Sequence, residues 1–221
     1  MALDTLIPSS YCIILTLLNV RGLKSHLVDI ECDLQLVNSD VLLLTETQYQ
    51  TDQNNLPSHI LDLELHHHLS ENKFDSVSVA VKSDVIVVEK RGLLGSFCIT
   101  FTKVSIKKSL TVLLLYRRQS FKMSDFLYLI RHWLSHMDGN IDIILGDFNI
   151  NHFSSNGELE TVLNHYTMLV DFPTHIAGSC LDHVYVHNKY CNKCKILEKC
   201  VYFSDHDAVK LLVDFQDLME Q

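Results

Sequence analysis

Apolar runs of 4–8 residues recur from one end of the chain to the other, each stopped by a polar residue or a turn. Ile13–Asn19, Val41–Thr45, Val77–Val81, Val85–Glu89, Phe97–Phe101, Leu110–Tyr116, Ile141–Leu145, Asp182–His187, Cys200–Phe203 and Ala208–Phe215 read as strands. They are short and rich in Ile, Leu and Val, which favours strand over helix. Several are apolar at consecutive positions rather than alternate ones, the pattern of strands covered on both faces. Leu23–Val37, Ser124–Met137 and Gly157–His165 are predicted helices that supply the cover. Leu27, Ile30, Leu34 and Val37 share one helical face, as do Phe126, Leu129, Ile130 and Trp133. The expected fold class is α+β. Two mainly antiparallel sheets pack face to face with helices outside, in one domain over residues 1–221. A three-layer Rossmann-like sheet would want a Gly-rich loop after an early strand, and Asn19-Val20-Arg21-Gly22 is not one.

Composition removes several function classes. With 7 Gly and 3 Pro in 221 residues, collagen-like, linker-rich and disordered readings fail. A formal net charge of −9 argues against a broad basic surface for nucleic acid and leaves room only for a local basic groove. No stretch reaches the roughly 18 apolar residues of a membrane span. Tyr11–Val20 follows Asp4 rather than a basic leader and reads as a buried strand, so no membrane partner is expected. Seven irregularly spaced cysteines suit reduced thiols in an intracellular protein.

The chemistry sits where apolar strands stop. Ile13–Leu18 runs into Asn19, Val41–Leu44 into Thr45-Glu46-Thr47, Thr111–Leu115 into Tyr116-Arg117-Arg118, and Ile141–Leu145 into Gly146-Asp147-Phe148-Asn149. Strand ends gathered at one rim mount a site on a rigid scaffold. On an extended chain Asp147 and Asn149 point the same way, with Phe148 turned to the core. An acid beside an amide can hold a water and a phosphate oxygen together. A carboxylate such as Glu46, after a wholly apolar strand, is either solvated or ligates a hard cation, and Mg²⁺ takes only one or two protein carboxylates. Ser204-Asp205-His206-Asp207 offers a carboxylate for a metal and an imidazole for a phosphate. Asp182 opens a strand expected to pair with the one leading into Ser204, so its carboxylate could fix the His206 tautomer. Each piece also has a plainer structural reading as a polar strand end.

Their order raises them above that reading. Asn19, Glu46, Tyr116, Gly146-Asp147-Phe148-Asn149, Leu181-Asp182 and Ser204-Asp205-His206 together resemble the endonuclease/exonuclease/phosphatase family, over nearly the whole chain from Ile13 to Phe215. LNVRGL, LLLTETQ, DFPTHIAGSCLDHVYV and SDHDAV look most like the apurinic/apyrimidinic-like endonuclease domains of mobile elements, LINE-type retrotransposons and Helitron-like transposons among them. The resemblance implies a four-layered α/β sandwich and hydrolysis of a DNA phosphodiester with Mg²⁺ or Mn²⁺. Glu46 would bind the metal, with Asn19 and Asp205 in its shell. Asp147 would orient or deprotonate the attacking water, and Asn149 would hold that water or a phosphate oxygen. His206, supported by Asp182, would bond the scissile phosphate, and Tyr116 would contact it as well. Many family members carry Asp or Asn two residues after the first Asn; here Arg21 stands there, and a cation cannot ligate a metal. Arg21, Arg117 and Arg118, with Lys24 and Lys122 beside them, could instead meet DNA phosphates, and Lys103, Lys107 and Lys108 could form a second contact. The implied setting is nuclear, with the domain delivered by a larger mobile-element polyprotein.

Two other readings stay open. The same scaffold could serve a phosphodiesterase or phosphatase acting on RNA, nucleotides or phosphoinositides, or a degenerate domain that only binds DNA. Cys180, Cys191, Cys194 and Cys200 include one zinc-like Cys-x₂-Cys, yet Cys200 falls inside a predicted strand, so a thiol-lined hairpin is the expectation. His66-His67-His68 is expected in a polar loop at a strand end.

Overall fold

The computed structural model describes residues 11–51, 55–154 and 157–216. The chain builds two sheets. The first is formed by β1 (Cys12–Asn19), β2 (Val41–Thr45), β3 (His59–Ile60), β4 (Leu63–His68), β5 (Val77–Val81), β12 (Cys194–Lys199) and β13 (Ala208–Asp214), in the order β12-β13-β1-β2-β5-β4-β3. The second is formed by β6 (Val85–Leu93), β7 (Ser96–Lys103), β8 (Ser109–Tyr116), β9 (Ile143–Asp147), β10 (Tyr166–Met168) and β11 (Asp182–His187), in the order β10-β11-β9-β8-β7-β6.

Each sheet is antiparallel except for one pair. β1 runs parallel to β2, and β8 parallel to β9. A parallel pair needs a crossover, which here is helical. Helices α1 (Leu23–Cys32) and α2 (Leu34–Val37) lead from β1 to β2, and α3 (Met123–His136) leads from β8 to β9. A short α4 (Gly157–Val162) precedes β10. The consequence for function is direct, because two parallel strands finish at the same rim. Register aligns Asn19 with Thr45 in one sheet and Tyr116 with Asp147 in the other.

The near-continuous apolar runs follow from the layering. Leu15, Leu17, Leu43, Leu114 and Leu145 face between the sheets, where they meet Phe101 and Val184. Their neighbours Leu18, Leu42 and Leu44 turn outward onto Leu23, Ile30 and Leu36 of the first crossover. Leu113, Leu115 and Ile144 turn outward onto Phe126, Ile130 and Trp133 of α3. Both faces of the central strands are thus covered, giving the four-layered sandwich.

Several expected elements differ. The helix predicted over Leu23–Val37 breaks at Asp33, whose backbone is extended and whose side-chain Oδ1 restarts a turn by accepting the amides of Gln35 at 2.9 Å and Leu36 at 3.3 Å. Leu34 is consequently exposed. The helix predicted over Gly157–His165 ends at Val162. The strand predicted at Ile141 begins at Ile143, because the Asp142 carboxylate accepts the Thr111 amide. Cys200–Phe203 is a loop, and the strand is Cys194–Lys199 before it. His66-His67-His68 lies in strand β4, with His66 buried. His67 bonds Ser78 and the Pro57 carbonyl, so its ring is held within the sheet. Cys180, Cys191, Cys194 and Cys200 are free thiols; no candidate metal group among the described residues contains two of them, and Cys200 lies instead with Glu198 and Asp207.

His183 of β11 is buried against Phe148, ring centroids 4.8 Å apart, and donates from Nε2 to the Ile150 carbonyl at 2.8 Å. Burial pulls its pKa from 6.5 down to about 4. The unfolded chain therefore takes up a proton at this residue before the folded chain does. Stability that is complete above pH 6.5 declines as the pH falls toward 4. Between pH 7.5 and 5 the expected contribution is a loss of about 2 kcal/mol. Urea midpoints of the wild-type chain and His183→Phe at both pH values measure it, and the variant should lose correspondingly less.

Candidate active site

β9 ends in Gly146-Asp147, and the glycine is what permits Asp147 to sit where it does. Gly146 has φ +148° and lies opposite Leu115 of β8; a Cβ there would fall 1.7 Å from the Leu115 carbonyl oxygen. Gly146→Ala is expected to cost at least about 3 kcal/mol, read from urea unfolding. A cost below about 1 kcal/mol would contradict this close pairing.

Asp147 is fully buried behind the cleft. Its Oδ1 accepts the Asn149 amide at 2.9 Å, so the chain turns back on itself rather than continuing extended. The expected side-by-side placement of Asp147 and Asn149 therefore arises from a side-chain-capped turn, not from strand alternation. Asn149 sits at φ 49°, which Asn tolerates, and its Nδ2 donates to the Arg117 carbonyl at 2.8 Å. Phe148 is buried among Phe126, His183 and Tyr185.

Asn19, also buried, links the two sheets. Its Nδ2 donates to Asp147 Oδ2 at 2.8 Å and to Glu46 Oε1 at 2.9 Å, while its oxygen accepts the Arg21 amide at 3.1 Å. The Tyr116 hydroxyl donates to the same Glu46 Oε1 at 3.0 Å. Burial, then the Glu46 and Asp147 charges, raise the Tyr116 pKa and keep that hydroxyl protonated. Glu46 and Arg21 have φ 51° and 48°, a left-handed backbone that costs roughly 1–3 kcal/mol for such residues. The strain is held by bonds from the Val20, Gly22 and Leu23 amides to the Thr45, Glu46 and Thr47 carbonyls.

The last pieces come from the C-terminal third. Asp182 lies opposite Asp147 in register, because β11 pairs with β9 and β10 rather than with the segment leading into Ser204. Asp182 Oδ2 accepts His206 Nδ1–H at 2.7 Å, which leaves Nε2 free to face the cleft, 4.0 Å from Asp147 Oδ2. Ser204 Oγ donates to the Asn19 carbonyl at 2.7 Å and accepts the His206 amide, fastening this loop to β1. Burial and the Asp182 charge push the Asp147 carboxyl well above its ordinary range. Burial opposes charge on His206, but Asp182 and Asp147 outweigh it and raise the imidazole to about 9.

Arg21, Glu46, Asn149, His175, Asp205 and His206 line a cavity of about 490 Å³ over this cluster. Arg21 pairs with Asp205 Oδ2. Arg117 and Arg118 stand beside the cleft rather than in its lining. Arg117 lies over the Phe126 ring, and Arg118 pairs with Asp75 at 2.8 Å. Lys103 is bound to Asp40, and Lys108 lies over Tyr190 and Phe215. His175 and Gln119 line the cavity unforeseen, and Thr174 accepts the amides of Leu181 and Asp182. The only sequence trace of this group is the Thr-His pair shortly before Gly178 and Asp182.

The donor set suits a hard divalent cation. Glu46 Oε2 takes no bond among the described residues, and Asp205 Oδ1 is buried without a partner. Both are carboxylate oxygens, the ligand type of Mg²⁺ and Mn²⁺.

The fold is shared with solved nuclease structures. The endonuclease domain of TRAS1, a telomere-specific non-LTR retrotransposon, superposes with TM-score 0.71 at 13% identity, covering 93% of this chain and 99% of that one. The AP endonuclease LMAP from Leishmania major gives 0.77 at 12% identity, covering 97% and 91%. The 3′-5′ exonuclease NExo from Neisseria meningitidis gives 0.70 at 18% identity, covering 92% and 100%. Among curated proteins, none is significantly similar in sequence. Residues 17–206 match the Endonuclease/Exonuclease/phosphatase family, so a stretch that runs from β1 through His206 and contains the whole cluster makes the chain a member of that family.

Proposed function

We propose that the chain is a divalent-metal-dependent DNA endonuclease of the mobile-element type, its 221 residues acting as one catalytic domain. The family is one of phosphodiester hydrolases. The observation that carries the finer reading is the unbroken run of contacts Tyr116–Glu46–Asn19–Asp147, continued by His206 and Asp182, beneath one open cavity.

Glu46 and Asp205 would hold the cation, with Asn19 orienting Glu46 from behind. A bound Mg²⁺ or Mn²⁺ supplies charge stabilisation to the phosphoryl oxygens and the leaving 3′ oxygen. Asp147 accepts a proton from the attacking water and aligns it; a positioned base contributes about 10²–10⁴-fold. Asn149 holds that water or a phosphate oxygen. His206 donates from Nε2 to the scissile phosphate as the imidazolium, which the Asp182 carboxylate on Nδ1–H holds in its charged form. Tyr116 donates to a phosphate oxygen, with Glu46 as its resting partner. Arg21, at the cavity wall, is the favoured contact to a neighbouring phosphate, and Arg117 and Arg118 flank it.

With a net charge of −9, affinity for DNA is modest and falls with salt, which suits delivery by a larger polyprotein in the nucleus. No helix among the described residues is long and apolar enough to cross a membrane. The structural likeness to an exonuclease and to AP endonucleases makes substrate choice the question to test. Supercoiled plasmid and matched plain, abasic, single-stranded and RNA oligonucleotides, with nucleotides and phosphoinositides beside them, are incubated with Mg²⁺ or chelator. Nicking of plasmid and plain duplex, abolished by chelator, is the expected result. Turnover of RNA, nucleotides or lipid headgroups alone would overturn the DNA assignment, and DNA binding without turnover would overturn the enzyme.

A further inference from the structure

Residues Thr174–Ile176 form a strap along the Asp205–Asp207 loop. The Ile176 amide donates to the Asp205 carbonyl at 2.9 Å, the Asp207 amide donates to the Thr174 carbonyl at 2.8 Å, and His175 pairs with His206 as an antiparallel bridge. The strap delivers the His175 ring to the cleft. It stands nearly perpendicular to the His206 ring, centroids 4.9 Å apart, and its Nε2 lies 3.4 Å from Asp205 Oδ2.

His175, Asp205 and His206 bring ligand atoms within 4.8 Å of one another, as a metal triad would. The tautomer argues otherwise. The Ala177 amide donates to His175 Nδ1 at 3.1 Å, so that lone pair is committed and the ring hydrogen resides on Nε2. Nε2 then carries a hydrogen and stands within ion-pair distance of a carboxylate, and is not a ligand for a cation. Arg21 donates to the same Asp205 oxygen, while the other oxygen, Oδ1, is buried with no partner among the described residues. The Arg21 hydrogen bond and the nearby His175 N–H both fall on one oxygen and nothing on the other, which fixes how the carboxylate is presented.

We propose that His175 is a positioning residue which, with Arg21, clamps Oδ2 of Asp205 and so presents Oδ1 to the divalent cation. The clamp rests on the metal-dependent reading above. It also explains how a chain with Arg21 at a position of metal-shell residues keeps Asp205 serviceable. Arg21 orients the ligand instead of being one. Groups that hold a metal ligand from behind typically contribute 10–100-fold to metal affinity.

The test is calorimetric titration of Mn²⁺ into the DNA-free chain, comparing wild type, Glu46→Gln, His175→Ala and His175→Gln, with thermal melting to verify folding. Wild type should bind and Glu46→Gln should not. His175→Ala should bind about 10-fold more weakly, and His175→Gln, which keeps an N–H donor, should stay within about threefold of wild type. Should the alanine variant not fold, His175→Phe keeps the bulk without the donor and takes its place. Equal affinity of the wild type and the donor-free variant, beside lost binding in Glu46→Gln, would overturn the clamp alone. So would a glutamine variant as weak as the donor-free one. A wild-type chain with no Glu46-dependent binding would overturn the metal reading and the clamp with it.

Discussion

Asp147→Asn is expected to slow plasmid nicking about 10³-fold while leaving DNA affinity in chelator within about threefold. The side chain is buried beneath the cleft and contacts no bulk solvent, so its charge is costly unless the reaction uses it. Asparagine keeps the shape and its one amide oxygen can still accept from one side of the set of three bonds that come from Asn19 and Asn149. It cannot take a proton from water. The loss should therefore fall on kcat, not on KM, because the missing interaction exists only on the way to the transition state. Single-turnover cleavage with saturating enzyme measures it. A rate within about tenfold of wild type would remove Asp147 from the chemistry.

The second large effect concerns the His206–Asp182 pair. His206→Ala should cost about 10³-fold in kcat, the size expected when a preorganised donor to a developing oxyanion is lost. Asp182→Asn should cost at least about 10²-fold, although Asp182 is shielded from the cleft by His206. Asparagine brings no negative charge to hold the ring as the doubly protonated imidazolium, and with its amide oxygen still accepting from Nδ1–H the neutral ring turns a bare Nε2 lone pair toward a negative phosphate. The double variant should be no slower than His206→Ala alone, because Asp182 acts only through the imidazole. Additive losses would mean that Asp182 has its own role, for instance through its register partner Asp147.

Much of this site was legible because it sits where apolar strands stop. The runs ending in Asn19, Glu46, Tyr116 and Asp147 are continuous enough to read as doubly covered strands, and their polar ends needed only a shared rim to become a site. What the sequence did not specify is how that rim is made. It follows from parallel pairing of β1 with β2 and β8 with β9, a nonlocal choice that no local pattern encodes. The partner of Asp182 was misjudged for the same reason: sequence proximity suggested the Ser204 segment, whereas the sheet order puts β9 beside it. Apolar periodicity carried the first helix past Asp33, where a side-chain cap overrode it. His175 escaped notice because its place at the cleft depends on a strap closed by two long-range backbone hydrogen bonds. Arg117 and Arg118 read from sequence as phosphate contacts; their neighbours within the chain, Phe126 and Asp75, are not legible there.

The central claim is that side chains from the first strand to the loop before the last one form a single cation-and-phosphate site. Anomalous scattering from crystals of the chain soaked in Mn²⁺ tests it most directly. The expected result is an anomalous peak in contact with the Glu46 carboxylate, inside the cavity bounded by Asn149 and His206. A peak confined to other residues, such as His66–His68 or the Glu198–Cys200–Asp207 group, with none at Glu46, would contradict it.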